Sequence, residues 1–395
     1  TAYNAVRGDR TSLFSVLVSI LVVMESQNAF KVRDITRVLE EWAPTVLQES
    51  YDNSGLLVGD LSAKVTKVLV SLDCTEEVVA EAEREGAELI VSHHPIIFSG
   101  LKRLTGNTYV ERTVLRAIKS GIALYAIHTN LDNVASGVNF ELATALGCTP
   151  ESLKILRPKS ELLHQVTVYC PSEYADKVRD AMFQAGAGSI GDYDRCSFNL
   201  AGEGTFRPGS DSMPFVGEKG QDHSEPETKI ELLVEKRLSK SVVEAAANVH
   251  PYEEMAYLIT PLENKDENIG AGMIGKLPEP MKWEAFLDHA KHALQATHIK
   301  HTNPVSEFVS TIAVCGGSGS FLLCDAIGKK ADVFLSSDFK YHEFFDADGK
   351  ILIADVGHYE SEWRTSRLIA NVIKQKFTKF AVHLASSKTN PVRIR

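Results

Sequence analysis

Short, continuously apolar runs that end in turns place the strongest limit on how this chain folds. Leu89-Ile90-Val91, Ile122 to Ile127 and Ile351 to Asp355 are such runs, and Val65 to Leu72 is another, dense in Val and Leu. A strand that is apolar at nearly every position buries both faces, as parallel strands covered by helices do. The segments between these runs have helical character. Lys31 to Trp42 carries Val32, Ile35, Val38 and Leu39 at helical spacing. Thr75 is placed to cap a helix with Glu76 and Glu77 in its first turn, and Gly86 to end it. A further helix is expected from Arg112 to Ser120, stopping at Gly121. This alternation predicts an α/β core with a largely parallel sheet.

The pattern returns near the C-terminus. A strand over Thr311 to Cys315 opens into Gly316-Gly317-Ser318-Gly319, followed by a helix from Leu322 to Gly328. Strands are expected at Val333–Leu335 and Ile351–Asp355, then a long helix from Glu360 to Lys376. The middle differs. A strand at 163–170 and a helix from Glu173 to Ala185 precede two strands that flank a Gly-rich loop, Gly202 to Gly209. A strand at Lys229–Glu235, a helix at Ser239–Asn248 and a strand at Met255–Ile259 complete a β-α-β-β-α-β order, the ferredoxin-like arrangement. The polar stretch Glu263 to Asn268 reads as the exit linker. The expected organisation is therefore an N-terminal extension (1–29), a first half of the core (30–158), an inserted ferredoxin-like α+β domain (159–263) and a second half of the core (264–395).

Length and composition bound the function. A chain of 395 residues exceeds one ordinary core. A net charge of -10 argues against general nucleic-acid binding, which needs a basic face. Six scattered cysteines, none in a C-x-x-C pair, fit reduced thiols in the cytoplasm and no cysteine zinc site. Residues 13–23 are apolar but too few to span a bilayer, and no small-residue cleavage pattern follows them. Met24 reads as a natural start, with residues 1–23 upstream of it, so no membrane association is expected.

Three strand ends carry metal-type ligands: Ser92-His93-His94-Pro95, His128-Thr129-Asn130-Leu131-Asp132 and Gly357-His358-Tyr359-Glu360-Ser361-Glu362. Open parallel sheets form sites at the carboxyl ends of their strands, so these turns are expected at one edge of the sheet. His358 and Glu362, four apart, share a helix face. Adjacent His93 and His94 diverge in strand geometry and suit two neighbouring ions, with Glu362 able to bridge them and Asp132 completing the set. Mixed imidazole and carboxylate donors suit zinc, manganese or iron(II) better than magnesium or calcium. Alone, Asp132 reads as a turn residue and His358 with Glu362 as a surface pair; together with His93 and His94 they favour a metal site. Gly316 to Gly319 offers amides for an anion, though a tight turn explains it more simply. His342, beside Asp338 and Glu343, is a candidate general acid or base. His128 reads as an orienting or packing residue. His250-Pro251-Tyr252-Glu253-Glu254 reads as a helix-to-strand connection.

Ser-His-His-Pro at 92–95, His-Thr-Asn-Leu-Asp at 128–132, Cys-Gly-Gly-Ser-Gly at 315–319 and Gly-His-Tyr-Glu-Ser-Glu at 357–362 closely resemble the GTP cyclohydrolase I type 2 homolog family, also called Nif-three-like dinuclear metal proteins. Trp42-Ala43-Pro44 and Tyr51-Asp52-Asn53-Ser54-Gly55-Leu56 are similar too, and the resemblance runs in order through residues 30–390. It implies two divalent cations per protomer on His93, His94, Asp132, His358 and Glu362. Glu362 would bridge them, with His94 and Asp132 on one ion and His93 and His358 on the other. It also implies a ring-shaped homohexamer and an insert similar to the P-II and CutA proteins. The reaction is left open between a metal-dependent hydrolase of a nucleotide or related small molecule, with His342 as proton donor, and a non-catalytic metal-handling or regulatory assembly.

Overall fold

The computed structural model of the chain describes residues 30–160 and 162–395. The expected extension 1–29, with its apolar run and Met24, lies outside the described residues. The chain divides into two compact units, 30–157 with 270–395, and 158–269.

The first unit contains two principal sheets where a single sheet was expected. In the five-stranded sheet the order is Ala381–Leu384, Lys67–Ser71, Leu89–Ser92, Ala123–Ala126 and Gly55–Val58. The first four run parallel and Gly55–Val58 closes one edge antiparallel. In the six-stranded sheet the order is Lys300–His301, Leu352–Asp355, Val333–Ser337, Phe308–Ser318, Asp266–Lys282 and Lys154–Lys159. Its three central neighbours, Leu352–Asp355, Val333–Ser337 and Phe308–Ser318, are parallel.

The continuous apolar runs arise because both faces of these strands are covered. Along the six-stranded sheet, Ile312, Val314, Val333, Leu335, Leu352 and Ala354 enter one core with Phe286 and Leu142. Their alternate neighbours Ala313, Phe334 and Ile353 enter another with Leu322 and Ala326. That is the two-residue side-chain period of a strand, with neither face left to water. In the five-stranded sheet Leu69, Ile90 and Leu124 pack with Val78, Ala82, Val114 and Ala117 from helices Glu76–Glu85 and Tyr109–Lys119. Thr75 accepts a hydrogen bond from the Val78 amide, and Gly86 ends that helix at φ 66°, as its sequence implies.

Three expectations change. The final helix is two pieces, His358–Glu362 and Thr365–Lys376, and the unanticipated strand Ala381–Leu384 follows them. The Gly-rich segment is strand rather than loop: Phe198–Phe206 pairs antiparallel with His223–Glu235, leaving 207–222 as the connection. Two glycines interrupt the usual alternation there, which hides the strand from a pattern reading. Likewise Asp266 to Asn268, taken as linker, begin the strand Asp266–Lys282.

The second unit has its own sheet and core. Its strands lie in the order Tyr257–Pro261, Leu163–Pro171, His223–Glu235 and Phe198–Phe206, all pairings antiparallel. Helices Ala175–Gln184 and Ser239–Ala247 supply Val178, Met182, Val242 and Ala246 to a core with Val166, Val168, Ile230 and Leu232.

Phe334 is fully buried in the central parallel strand of the six-stranded sheet. Phe334→Ala is expected to destabilise the first unit by about 3–5 kcal/mol, read as a lowered denaturation midpoint. A loss below about 1 kcal/mol would mean that this face is not close-packed.

Candidate metal centre

Three loops from two sheets build the centre. His93 and His94 follow Leu89–Ser92, and their amides donate to Ser71 O (3.3 Å) and Leu72 O (2.9 Å), which pins the turn to the neighbouring strand. His128 and the short helix Thr129–Asp132 follow Ala123–Ala126. His358–Glu362 is a helical turn following Leu352–Asp355, in the other sheet. The expectation of one sheet edge is thus corrected. The carboxyl ends of strands from two sheets meet, and the ligand-type atoms of His93, Asp132 and Glu362, and of His94, His358 and Glu362, lie within 4.8 Å of one another in each set.

Glu362 joins the two sets. Its Oε1 faces His93 Nε2 at 3.9 Å, and His93 Nε2 lies 3.7 Å from Asp132 Oδ1. Its Oε2 lies 3.0 Å from His94 Nε2 and 3.1 Å from His358 Nε2, and those two nitrogens are 3.4 Å apart. The family resemblance implied His94 with Asp132 and His93 with His358; the structure instead groups His93 with Asp132 and His94 with His358. The two oxygens of one carboxylate point to opposite sides, and each side draws one of the adjacent histidines. His128 forms a third set with His93 and His94. It was read as an orienting or packing residue, and it stands among the potential ligands.

Donor chemistry tests whether a cation fits. Donors about 2.1 Å from a tetrahedral ion stand roughly 3.4 Å from each other. The His93–Asp132–Glu362 distances are a little wider than that, too long for hydrogen bonds. His93 Nε2 and Asp132 Oδ1 are buried and have no hydrogen-bond partner. Such orphaned buried atoms are costly unless something bonds them. The cluster could hold a metal ion on this ground.

Each imidazole is aimed by its far nitrogen. Nδ1 of His93 bonds Ile127 O (2.8 Å), that of His94 bonds Asp73 (2.7 Å), that of His128 bonds Asp52 (2.7 Å) and that of His358 bonds Asp338 (2.6 Å). A carboxylate or carbonyl behind a histidine fixes its tautomer and turns Nε2 toward a metal. Asp73 was missed from sequence, although it directly follows the Val65 to Leu72 run, the same strand-end position that marked the ligands. Asp52 is held in turn by Thr129, whose amide and hydroxyl both donate to it (3.0 and 2.5 Å). Buried Asn130 donates to Ala43 O, and Asn133 to Leu47 O. These bonds explain why the loop after His128 is polar yet buried.

The remaining candidates take other places. His342 is exposed on the segment Tyr341–Ala347, its ring against Tyr341 and stacked on Phe345, and it lies outside the three sets of potential ligands found among the described residues. His250 is a packed histidine, its Nε2 on Tyr169 O (2.9 Å). The amides of Gly316 and Gly317 are spent on Asn139 Oδ1 and Ser361 Oγ (2.9 Å each) rather than left for an anion. Gly317, at φ 63°, lets the chain pass close to Glu362: an added Cβ would stand 2.4 Å from Oε1.

Electrostatics differ across the two sides of Glu362. Burial works against His94 and His358, yet Asp73 with Glu362, and Asp338 with Glu362, outweigh it and raise them to about 10 and about 11. Burial holds His93 below its ordinary value despite Glu362. Burial, reinforced by the charge of Glu362, raises Asp132 well above the usual carboxylate range. Glu362 is itself held well below that range, because contacts with His358, His93 and His94 overcome burial. In the metal-free protein His94 and His358 therefore carry protons that a cation must displace.

Both groups stay protonated from pH 6 to 8, so the affinity for a cation between them is expected to rise with pH, by about two log units per pH unit. Competition with a chromophoric zinc chelator across that range measures the slope, and a flat profile would refute the protonated pair. Gly317→Ala is expected to lower bound metal at least severalfold in folded protein by displacing Glu362. Plasma emission spectrometry of the purified variant reads this directly, and wild-type metal content would exclude the close approach.

A family model described as Duf34/NIF3 (NGG1p interacting factor 3) matches residues 30–391. The GTP cyclohydrolase 1 type 2 homolog of Halalkalibacterium halodurans is 38% identical over 348 residues, covering 87% of this chain and 91% of the relative. That of Bacillus subtilis is 34% identical over 363 residues, covering 91% and 96%. The crystal structure of a Bacillus cereus protein related to NIF3 superposes with a TM-score of 0.78 at 34% identity, covering 93% of this chain and 99% of that one. This chain belongs to the Duf34/NIF3 family.

Proposed function

We propose that this protein is a dinuclear, metal-dependent hydrolase of a nucleotide or related small molecule. The observation that carries the reading is the split of Glu362 between two donor sets, with His93 Nε2 and Asp132 Oδ1 buried and unpartnered on one side. Two sets sharing one carboxylate suit two neighbouring divalent cations, and the mixed nitrogen and oxygen donors favour zinc, manganese or iron(II). His93, Asp132 and Glu362 would hold one ion, and His94, His358 and Glu362 the other. Such a pair lowers the pKa of water toward neutrality and polarises the group under attack.

The chain's own residues supply orientation and proton handling. Asp73 and Asp338 hold His94 and His358 in place. His128 sits beside His93 and His94 with ring centroids 5.3 and 5.4 Å away, and its Nδ1 is held by Asp52. We assign proton transfer to His128 ahead of His342, which lies outside the donor sets. The relatives' name, GTP cyclohydrolase 1 type 2 homolog, makes GTP the first substrate to try.

We further read 158–269 as an inserted ferredoxin-like domain, supported by its fourth-first-third-second strand order. Its separate core favours a second reading, a regulatory assembly in which this unit senses a ligand. A homohexamer in the cytoplasm fits both readings. The six cysteines are free thiols, and no helix among the described residues is long and apolar enough to cross a membrane.

Zinc-, manganese- and iron-loaded protein, assayed with GTP and then a nucleotide panel, is expected to turn substrate over. Glu362→Gln should lower the rate by at least about a thousandfold, and His128→Asn by roughly a hundredfold or more, with His342→Asn near wild type. Fully loaded protein that turns over nothing in the panel would favour the regulatory reading.

A further inference from the structure

Two exposed aromatic rings stand beside the donor histidines on the solvent side. Phe98, 49% exposed, follows His93 and His94 closely in the chain, and its ring lies 6.3 Å from that of His128 at an angle of 75°. Tyr51, 64% exposed, directly precedes Asp52 and lies 6.3 Å from Phe98 at 48°. His128 in turn has its ring 5.3 and 5.4 Å from those of His93 and His94. A line of rings therefore leads from the buried donors outward, through His128 to Phe98 and Tyr51.

The backbone under both rings is tied down. Asn53 Nδ2 donates to Ile97 O (2.6 Å), which joins the turn carrying Tyr51 to the residue before Phe98. The Ser54 amide donates to Gln48 Oε1 (2.7 Å) and closes that turn, and the Glu49 amide donates to Thr129 Oγ1 (2.9 Å) at the start of the helix bearing Asp132. Partial desolvation, and then Glu49, Asp132 and Asp52, raise the Tyr51 hydroxyl above its ordinary value, so it stands in the field of a donor carboxylate. Apolar rings exposed beside a polar site contribute little to the core, and such surface marks a place of binding. Two half-exposed rings offer roughly 200 Å², well short of the ~800 Å² per partner that a stable protein interface buries. That area suits a small molecule.

We infer that Tyr51 and Phe98 form a stacking platform for the planar heteroaromatic ring of the molecule that this centre acts on. Aromatic faces pair with other planar rings in offset or edge-to-face geometry, and every nucleobase presents such a face. A base stacked on Phe98 would have an edge facing His128, the residue to which proton transfer is assigned. The carboxylates around Tyr51 favour an uncharged ring over an anionic group, so the platform holds the ring end of a ligand rather than its phosphates. The inference rests on the reading of this centre as one for a nucleotide or related molecule, and adds which residues hold the ring.

The test uses the full chain freed of metal with a chelator, so that binding requires neither cations nor turnover. Adenosine and guanosine are titrated and followed by saturation-transfer NMR at their base protons, with ribose 5-phosphate as the probe lacking a base. Saturable nucleoside binding is expected, weakened at least about fivefold by Tyr51→Ala and by Phe98→Ala. Tyr51→Phe and Phe98→Tyr should restore it to within about twofold, because each keeps the ring face. Tyr193→Ala, at an exposed aromatic residue of the second unit, should leave it unchanged. Absence of saturable nucleoside binding, equal binding by wild type and both alanine variants, or equal binding of ribose 5-phosphate would overturn the platform. So would a changed sedimentation mass in the alanine variants, which would mean that a second copy of the chain covers the rings. Nucleoside binding of the expected kind in protein that turns nothing over when loaded would remove the hydrolase and keep the platform. Turnover with KM unaltered by both alanine substitutions would do the reverse.

Discussion

The carboxylate of Glu362 is the interaction on which the centre depends. It is 3% exposed, and a buried carboxylate is tolerated only where opposite charge and hydrogen bonds compensate its desolvation. Here imidazoles surround it: His94 and His358 on one oxygen, His93 on the other. That demand reaches well into the fold. Gly317 must lack a side chain to let the carboxylate in, Gly316 must lack one to clear Val138, Ser361 bonds the Gly317 amide, and Ser336 and Ser337 hold the Gly317 carbonyl. The Cys-Gly-Gly-Ser-Gly segment is thus a cradle for an acid rather than a nest for an anion.

Rigidity at the centre comes from layers behind the donors. Every donor histidine is tied through Nδ1 to a fixed acceptor, and the acceptors are themselves tied: Asp73 by Thr389, and Asp52 by Thr129. Positions set this way are held on strand ends rather than on mobile loop tips, which is what a metal site needs to keep its donors in register. The same construction makes the metal-free centre a charged, hydrogen-bonded cluster on the His94–His358 side and an unsatisfied one on the His93–Asp132 side. A cation bound there would have to replace protons on the first side and would fill orphaned contacts on the second.

Local pattern made much of this legible. Continuous apolar runs such as Leu89-Ile90-Val91 identify strands buried on both faces, and the polar residues directly after them identify the donors. Thr75 and Gly86 bracket their helix because capping chemistry is local. What stayed hidden was non-local. Two glycines concealed the strand Phe198–Phe206, whose pairing partner lies beyond the connection 207–222. Nothing near Ala381–Leu384 announces that it will add to Lys67–Ser71, more than three hundred residues away. Asp73 and Asp338 become supports for histidines only once their strand ends are placed beside them.

By itself the sequence determined which residue types stand at strand ends, and so which side chains were available to bind a cation. Their order along the chain carries that information because strand direction puts the end of each run at one edge of its sheet. Only the tertiary structure decided that the edge belongs to two sheets rather than one, and that His93 goes with Asp132 and His94 with His358. Sequence spacing constrains residues within a helix or strand. The partition of donors between the two oxygens of Glu362 follows instead from how two separately assembled sheets meet, which no local pattern encodes.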